Sequence, residues 1–444
     1  MATSDPLGSA SDYGIRNDVI ICGVDVRPAT TSCSALALAL LTGTSVLAQS
    51  HAPVELSLFP QKQVWNQPLD AAVTAQPGFG PATAFLPLED AHVAAFDLAN
   101  GVVAWTRPGQ PISQPAVGDG LVFLSEADAI RALRQDSGDL AWQVSLTAPL
   151  SVPLVWDNGW LVAADAAGVA TAFRAVDGAV VWRHSAGAPL HAPPALAADR
   201  VYLPLSDNRV VALDVATGAP VWERRLGGPA NDILALDDRV YAGSDDNYFY
   251  CLMPRTGEVS WRWRTGGDIV GPAVADTERV YFVSKDNVLR SLDRHSGAQR
   301  WQKPLPVRPT RGPIRVGDLL LVSGLAPRVL SFSVRSGTPG TDLAAPGELA
   351  AQPHEMRTRG IPQVVLIARD QAAGARVVAV RRTIDPPADA ALPALPGAIT
   401  VKVAVADVGA GAVRPAGAER APGTAGSVEG PAGRRLEGRL PEPR

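Results

Sequence analysis

VVALDVATGAPVW, residues 210–222, reads as a strand, a tight turn and a second strand. Val210, Ala212 and Asp214 alternate with Val211, Leu213 and Val215, the period of two that puts successive side chains on opposite faces of a strand. Thr217-Gly218 supplies the turn, because glycine takes a positive φ without a Cβ clash. Trp222 sits on the strand that follows. The stretch decides the fold because it recurs. A small residue, a glycine six positions on and a tryptophan ten positions on appear as Ala95, Gly101 and Trp105; Ala132, Gly138 and Trp142; Ala172, Gly178 and Trp182; Ala212, Gly218 and Trp222; Cys251, Gly257 and Trp261; and Ser291, Gly297 and Trp301. A seventh copy, Ser331 and Gly337, carries Thr341 in place of tryptophan. The tryptophans are 37 to 40 residues apart, and a fixed period in that range marks a repeat architecture.

Each repeat is made of short β runs. Residues 192–222 contain ALAAD, then RVYLPLS, a polar turn at Asp207-Asn208, RVVALD, the Thr217-Gly218 turn and APVWERR. Four strands in about 40 residues is the size of a β-propeller blade. Helical periodicity, which a horseshoe or helical solenoid needs in every unit, is missing. A tryptophan carries roughly 150–250 Å² of surface to bury. The residue expected to face it is always small: Ala, Ala, Ala, Ala, Cys, Ser and Ser along the register. Trp105, Trp142, Trp182, Trp222, Trp261 and Trp301 are therefore expected to dock between blades, not to stack on a cofactor.

The chain ends extend the pattern. QKQVWNQP, residues 61–68, looks like an outer strand without a blade, and Trp65 lies 40 residues before Trp105. QVVLIARD, residues 363–370, and ARVVAVRR, residues 375–382, look like a blade without its outer strand, with Ala379 at the small position. If the Trp65 strand completes that last blade, the fold is an all-β, eight-bladed propeller of four-stranded antiparallel blades over residues 61–384. Closure of this kind removes exposed sheet edges. The alternative is seven blades, with the Trp65 strand paired to residues 305–335.

The repeat resembles the tryptophan-docking repeat of PQQ-like propellers, as in ALDVATGAPVW. That group includes the outer-membrane protein assembly factor BamB and the quinoprotein alcohol dehydrogenases. The resemblance covers about residues 61–384, and it bears on the fold more than on any activity. A dehydrogenase of the group would imply PQQ, calcium and a catalytic Asp, often with adjacent cysteines. No adjacent cysteine pair and no C-x-x-C-H motif occurs here. Asp207-Asn208, Asp245-Asp246-Asn247 and Asp286-Asn287 offer oxygens, but their repeat positions are those of strand-to-strand turns, which favour Asp and Asn. The histidines, His51, His92, His184, His191, His295 and His354, show no metal-ligand spacing. No catalytic, cofactor-binding or metal-binding residue is assigned, and PQQ and calcium enter only under the dehydrogenase alternative.

The chain has 444 residues and a net charge of −4, which does not suggest nucleic-acid binding. Arg27, the apolar run at residues 35–41 and Val46-x-Ala48 form a basic, apolar and small-residue series typical of a secretory signal. The run is too short to span a membrane. Residues 1–48 are accordingly expected to be a leader and signal, and the mature chain to lie in the periplasm or outside the cell. Cys22 and Cys33 would leave with that segment, so Cys251 has no disulfide partner. Neither cysteine follows a lipobox, and no lipid anchor is expected. Residues 385–444, rich in Ala, Pro, Gly and Arg, are expected to be a disordered tail.

One surface candidate emerges. WRWRTGG, residues 261–267, puts Trp261 and Trp263 on one strand face and Arg262 and Arg264 on the other. The next unit adds Arg308, Arg311 and Arg315. Aromatic residues and arginine are enriched at interface hot spots, so Trp263, Arg264, Arg308 and Arg311 form a candidate interface. The functional reading is a non-catalytic, monomeric propeller that binds a protein partner in the bacterial cell envelope. The alternatives are a PQQ-dependent dehydrogenase with an unrecognised site and a small-ligand binder using the central channel.

Overall fold

The computed structural model describes residues 56–358, 360–370 and 374–383. The leader with its signal, Cys22 and Cys33, and the tail at residues 385–444 lie outside the described residues. Within them the chain forms strands and no helix. The strands assemble into eight antiparallel four-stranded sheets. Seven of these blades are continuous in sequence. The fourth, for example, comprises Ala195–Ala197, Arg200–Pro204, Arg209–Asp214 and Pro220–Arg225, running from the axis outward. The first strands of neighbouring blades approach one another, as Ala116–Gly118 does with Val155–Asp157, and so surround the axis.

The eighth blade is built from both ends of the chain. Gln61–Leu69 forms the outer strand and pairs with Gly374–Arg382, which continues inward to Ile361–Asp370 and His354–Thr358. Trp65 lies opposite Ala379. This is the eight-blade arrangement; the seven-blade alternative fails, because the Trp65 strand pairs nowhere with residues 305–335.

The repeat signature acquires a physical meaning here, and one expectation needs refinement. The small residue does face the tryptophan, but inside the same blade: Ala212 is opposite Trp222, Cys251 opposite Trp261 and Ser291 opposite Trp301. The floor that receives the ring is the glycine of the next blade. A Cβ at Gly218 would lie 2.6 Å from the Trp182 ring, and one at Gly101 would lie 2.6 Å from Trp65. Both glycines also have φ above +70°, a conformation that other residues adopt only with strain. Each indole Nε1 then donates to a carbonyl beside that glycine, Trp182 to Val215 O at 2.7 Å and Trp65 to Leu98 O at 3.3 Å. One side chain thus satisfies packing and hydrogen bonding across the blade boundary.

A further repeat accompanies it. Phe85, Phe123, Tyr202, Tyr241 and Tyr281 meet the tryptophan of their own blade at 5.7 to 5.9 Å, tilted by 37° to 46°. Tilted aromatic pairs of this kind add to the burial of apolar surface. The third blade has Val162 at that position.

The missing tryptophan of the seventh blade also has a structural reason. The outer strand of this blade is only Leu343–Ala344, and Ser331 Oγ donates to Thr341 O at 2.8 Å. The eighth blade has no hairpin glycine to receive a ring, because the two chain ends meet there. Leu58 fills the boundary instead. It is wholly buried, packed with Val316, Leu321 and Leu343 of the seventh blade and Val364, Val378 and Val380 of the eighth. Arg382 ties the segment down by donating to Ser57 O at 2.7 Å.

Candidate functional site

Strand Val259–Arg264 carries the expected surface residues. It places Trp263 opposite Phe249, Arg262 opposite Tyr250 and Arg264 opposite Tyr248. Trp263 is half-buried against a cluster that includes Phe249, Ile269 and Phe282, so the ring is largely engaged between the fifth and sixth blades. Arg264 is exposed, and Arg262 lies over the Tyr248 ring at 4.8 Å. From the neighbouring outer strand, Arg224 reaches across to Gly257 O at 2.7 Å.

Arg308 and Arg311 lie elsewhere, on the connection between the sixth and seventh blades. Arg308 is exposed. Arg311 turns inward and donates to Ala350 O at 3.1 Å, and burial pulls its pKa down. Among the described residues no hydrogen bond, ion pair or ring contact joins these two arginines to Trp263 or Arg264. Arg264 shares its strand face with Arg262, and Trp263 points the other way, toward the sixth blade.

The Asp-Asn turns are occupied with their own geometry. Asn208, Asn247 and Asn287 have φ of 73°, 63° and 60°. Asp207 takes Arg209 at 2.7 Å, while Asp246 accepts from Tyr248 N at 3.0 Å. Asp286 takes Arg290 at 2.6 Å. Burial pushes the Asp286 carboxyl up, but hydrogen bonds from Arg290, Ser284 and Gly266 outweigh it and hold the group at about 2. Among the described residues no group of three or more His, Cys, Asp or Glu is placed to hold a metal ion. Cys251 is buried opposite Trp261, and burial pushes its thiol up to about 12.

The axis holds a feature that the tryptophan register did not reveal. The innermost strands start after Pro77, Pro115, Pro153, Pro193, Pro272, Pro313 and Pro353. In the fifth blade the same place, 29 residues before Trp261, is Asp232. Proline cannot donate to a ladder. With Asp232 there, the inner strand extends over Ala230–Ala235 and Asp232 pairs opposite Gly243. Burial pushes the Asp232 carboxyl up to about 6, with nearby His191 pulling it back. His191 lies 3.1 Å from Asn231 Oδ1 and 3.4 Å from Asp245, linking the fourth blade to the fifth. Across the ring, His354 stacks on Phe79 at 3.8 Å, and burial lowers its pKa to about 4. The sequence signal was the proline at a spacing of 38 to 41 residues with one gap.

A family model described as outer membrane protein assembly factor BamB matches residues 126–237 and 227–381. The chain belongs to this family. Solved structures agree on the architecture. BamB from Moraxella catarrhalis superposes with a TM-score of 0.59 at 19% identity, over 72% of this chain and 99% of that one. Quinohemoprotein alcohol dehydrogenase ADHIIG from Pseudomonas putida HK5 gives 0.58 at 14% identity, over 72% and 76% of the two chains. Sqt1 from Saccharomyces cerevisiae gives 0.60 at 12% identity, over 71% and 97%. At such identities the likeness is one of fold. No curated protein gives a significant match.

Proposed function

We propose that this BamB-family propeller is a protein-interaction scaffold of the bacterial cell envelope, acting in outer-membrane protein assembly. The family match across residues 126–381 carries the reading. The rigid, closed ring supports it, since docked tryptophans and a stitched eighth blade hold outer strands and connecting loops in fixed positions. The donor chemistry points the same way, because the turn carboxylates are committed to backbone amides and arginines. Export through the signal at residues 1–48 and a monomeric, unanchored mature form in the periplasm complete the proposal. Among the described residues no helix is long and apolar enough to cross a membrane.

Affinity purification of the tagged protein from cross-linked envelope of its native host tests the reading. Recovery of outer-membrane assembly proteins is expected; their absence from repeated purifications overturns it. A separate assay addresses the dehydrogenase alternative. Adding PQQ and calcium should give neither cofactor absorbance nor dye-linked alcohol oxidation.

A further inference from the structure

Arginines inside the blade boundaries are paired. Arg131 meets Glu126 at 3.0 Å, Arg209 meets Asp207 at 2.7 Å and Glu223 at 3.0 Å, and Arg290 meets Asp286 at 2.6 Å. Some arginines nearer the rim are paired as well. In the first blade Arg107 reaches Asp139 at 3.4 Å, in the sixth Arg300 takes Asp293 at 2.6 Å, and in the seventh Arg328 takes Asp342 at 3.3 Å.

The outer strands of the third, fourth and fifth blades differ. Arg183 on Val180–Ser185, Arg224 and Arg225 on Pro220–Arg225, and Arg262 and Arg264 on Val259–Arg264 have no carboxylate partner among the described residues. All but Arg224 are exposed, and Arg224 is half-buried. The acid on these strands is Glu223, already taken by Arg209, and Glu258 stands one residue before the fifth-blade strand. The chain as a whole is acidic at −4, so the patch is not a by-product of a basic composition. Three of the arginines face the same blade boundary. Arg224 leans from the fourth blade onto the fifth, while Arg262 and Arg264 share the strand face that looks back toward the fourth, with Tyr248 beneath Arg262.

Guanidinium groups on neighbouring strands offer paired donors to carboxylates, and an aromatic ring beneath one of them fixes its direction. We infer that the rim boundary between the fourth and fifth blades docks an acidic, extended segment of a partner protein, with Arg224, Arg262 and Arg264 as its anchors. The inference rests on the scaffold reading and adds the place and chemistry of one contact. Arg264 keeps the role expected for it, Trp263 supports the strand from the other face, and Arg308 and Arg311 have no part.

The test uses the full-length protein and a fluorescein-labelled peptide of alternating Glu and Ala, followed by anisotropy. Binding that weakens with salt is expected, and the peptide of alternating Gln and Ala should not bind. Arg262→Glu with Arg264→Glu should weaken binding by about two- to thirtyfold, given the usual worth of each exposed pair. Arg308→Glu, the same kind of charge change elsewhere, should leave it unaltered. If the double variant loses its melting transition, Arg262→Gln with Arg264→Gln replaces it, with a smaller loss in the same direction. Equal weakening by Arg308→Glu, or binding to phosphatidylglycerol vesicles but not to the acidic peptide, overturns the inference. Assembly proteins still captured by the double variant at undiminished yield would also overturn it, while leaving the scaffold reading intact.

Discussion

Trp222 makes three kinds of contact at once. Its ring covers Gly257 of the next blade, its Nε1 donates to Pro254 O at 2.7 Å, and its edge meets Tyr202 at 5.8 Å. Trp222→Ala should therefore destabilise the fold by about 3–5 kcal/mol in urea unfolding, the usual cost of truncating a buried aromatic. Gly257→Ala should cost about 1–3 kcal/mol from overpacking against that ring, with added strain because φ is 67°. Two half-buried titratable groups set opposing pH dependences. Asp232 has a folded pKa of about 6, above the ordinary value of 3.8, so its contribution is fully present below pH 3.8 and is lost as pH rises through 6. His354 has a folded pKa of about 4, below its ordinary 6.5, so its contribution is present above 6.5 and is lost as pH falls through 4. Between pH 4 and 6 the two slopes offset. Asp232→Asn should leave stability falling more steeply on acidification, and His354→Gln should leave it rising; melting curves across that range check both.

At the scale of elements, the N-terminal strand and the segment before it have separate duties. Gln61–Leu69 supplies a whole ladder, whereas Leu58 supplies a plug. A chain starting at residue 56 should melt like the parent. One starting at residue 60 should lose about 2–5 kcal/mol, as should Leu58→Ala, and one starting at residue 70 should lose cooperative melting altogether. The strand was legible in the sequence because Trp65 keeps the register of the other tryptophans and Ala379 keeps that of the small residues. The plug was not. Leu58 occurs once, at a boundary where the repeat is broken, so no periodicity points to it. Asp232 was hidden for a related reason: it is conspicuous only against the seven prolines, and the tryptophan register draws attention to the rim. The surface candidate was half legible. Strand alternation correctly separated Trp263 from Arg264, but nothing in the spacing tells that Arg311 turns inward to Ala350 while Arg224 crosses to Gly257.

At the scale of the whole molecule, the ring is held by one joint that is remote in sequence. Lys62 and Arg381 are cross-strand partners at that joint. With Cys22 and Cys33 changed to Ser, the pair Lys62→Cys and Arg381→Cys should cross-link on oxidation and raise stability by about 2–4 kcal/mol, seen as a higher melting temperature that reductant reverses. Cysteines placed on the Trp65 strand and on residues 331–335 should not cross-link. The same joint imposes an order in time. A ribosome or export channel delivers Gln61–Leu69 first and its partner Gly374–Arg382 last. For most of the chain's emergence the opening strand waits with its ladder groups unmatched, and the seven finished blades form an arc with a raw edge at each end. Such long-range pairing is slow to form and exposes the chain to aggregation meanwhile. Joining residue 383 to residue 56, whose neighbours Arg382 and Ser57 already touch, and reopening the chain in the turn at Thr217 would make the seam a short-range connection. That permutant should refold faster than the parent and aggregate less on dilution from denaturant.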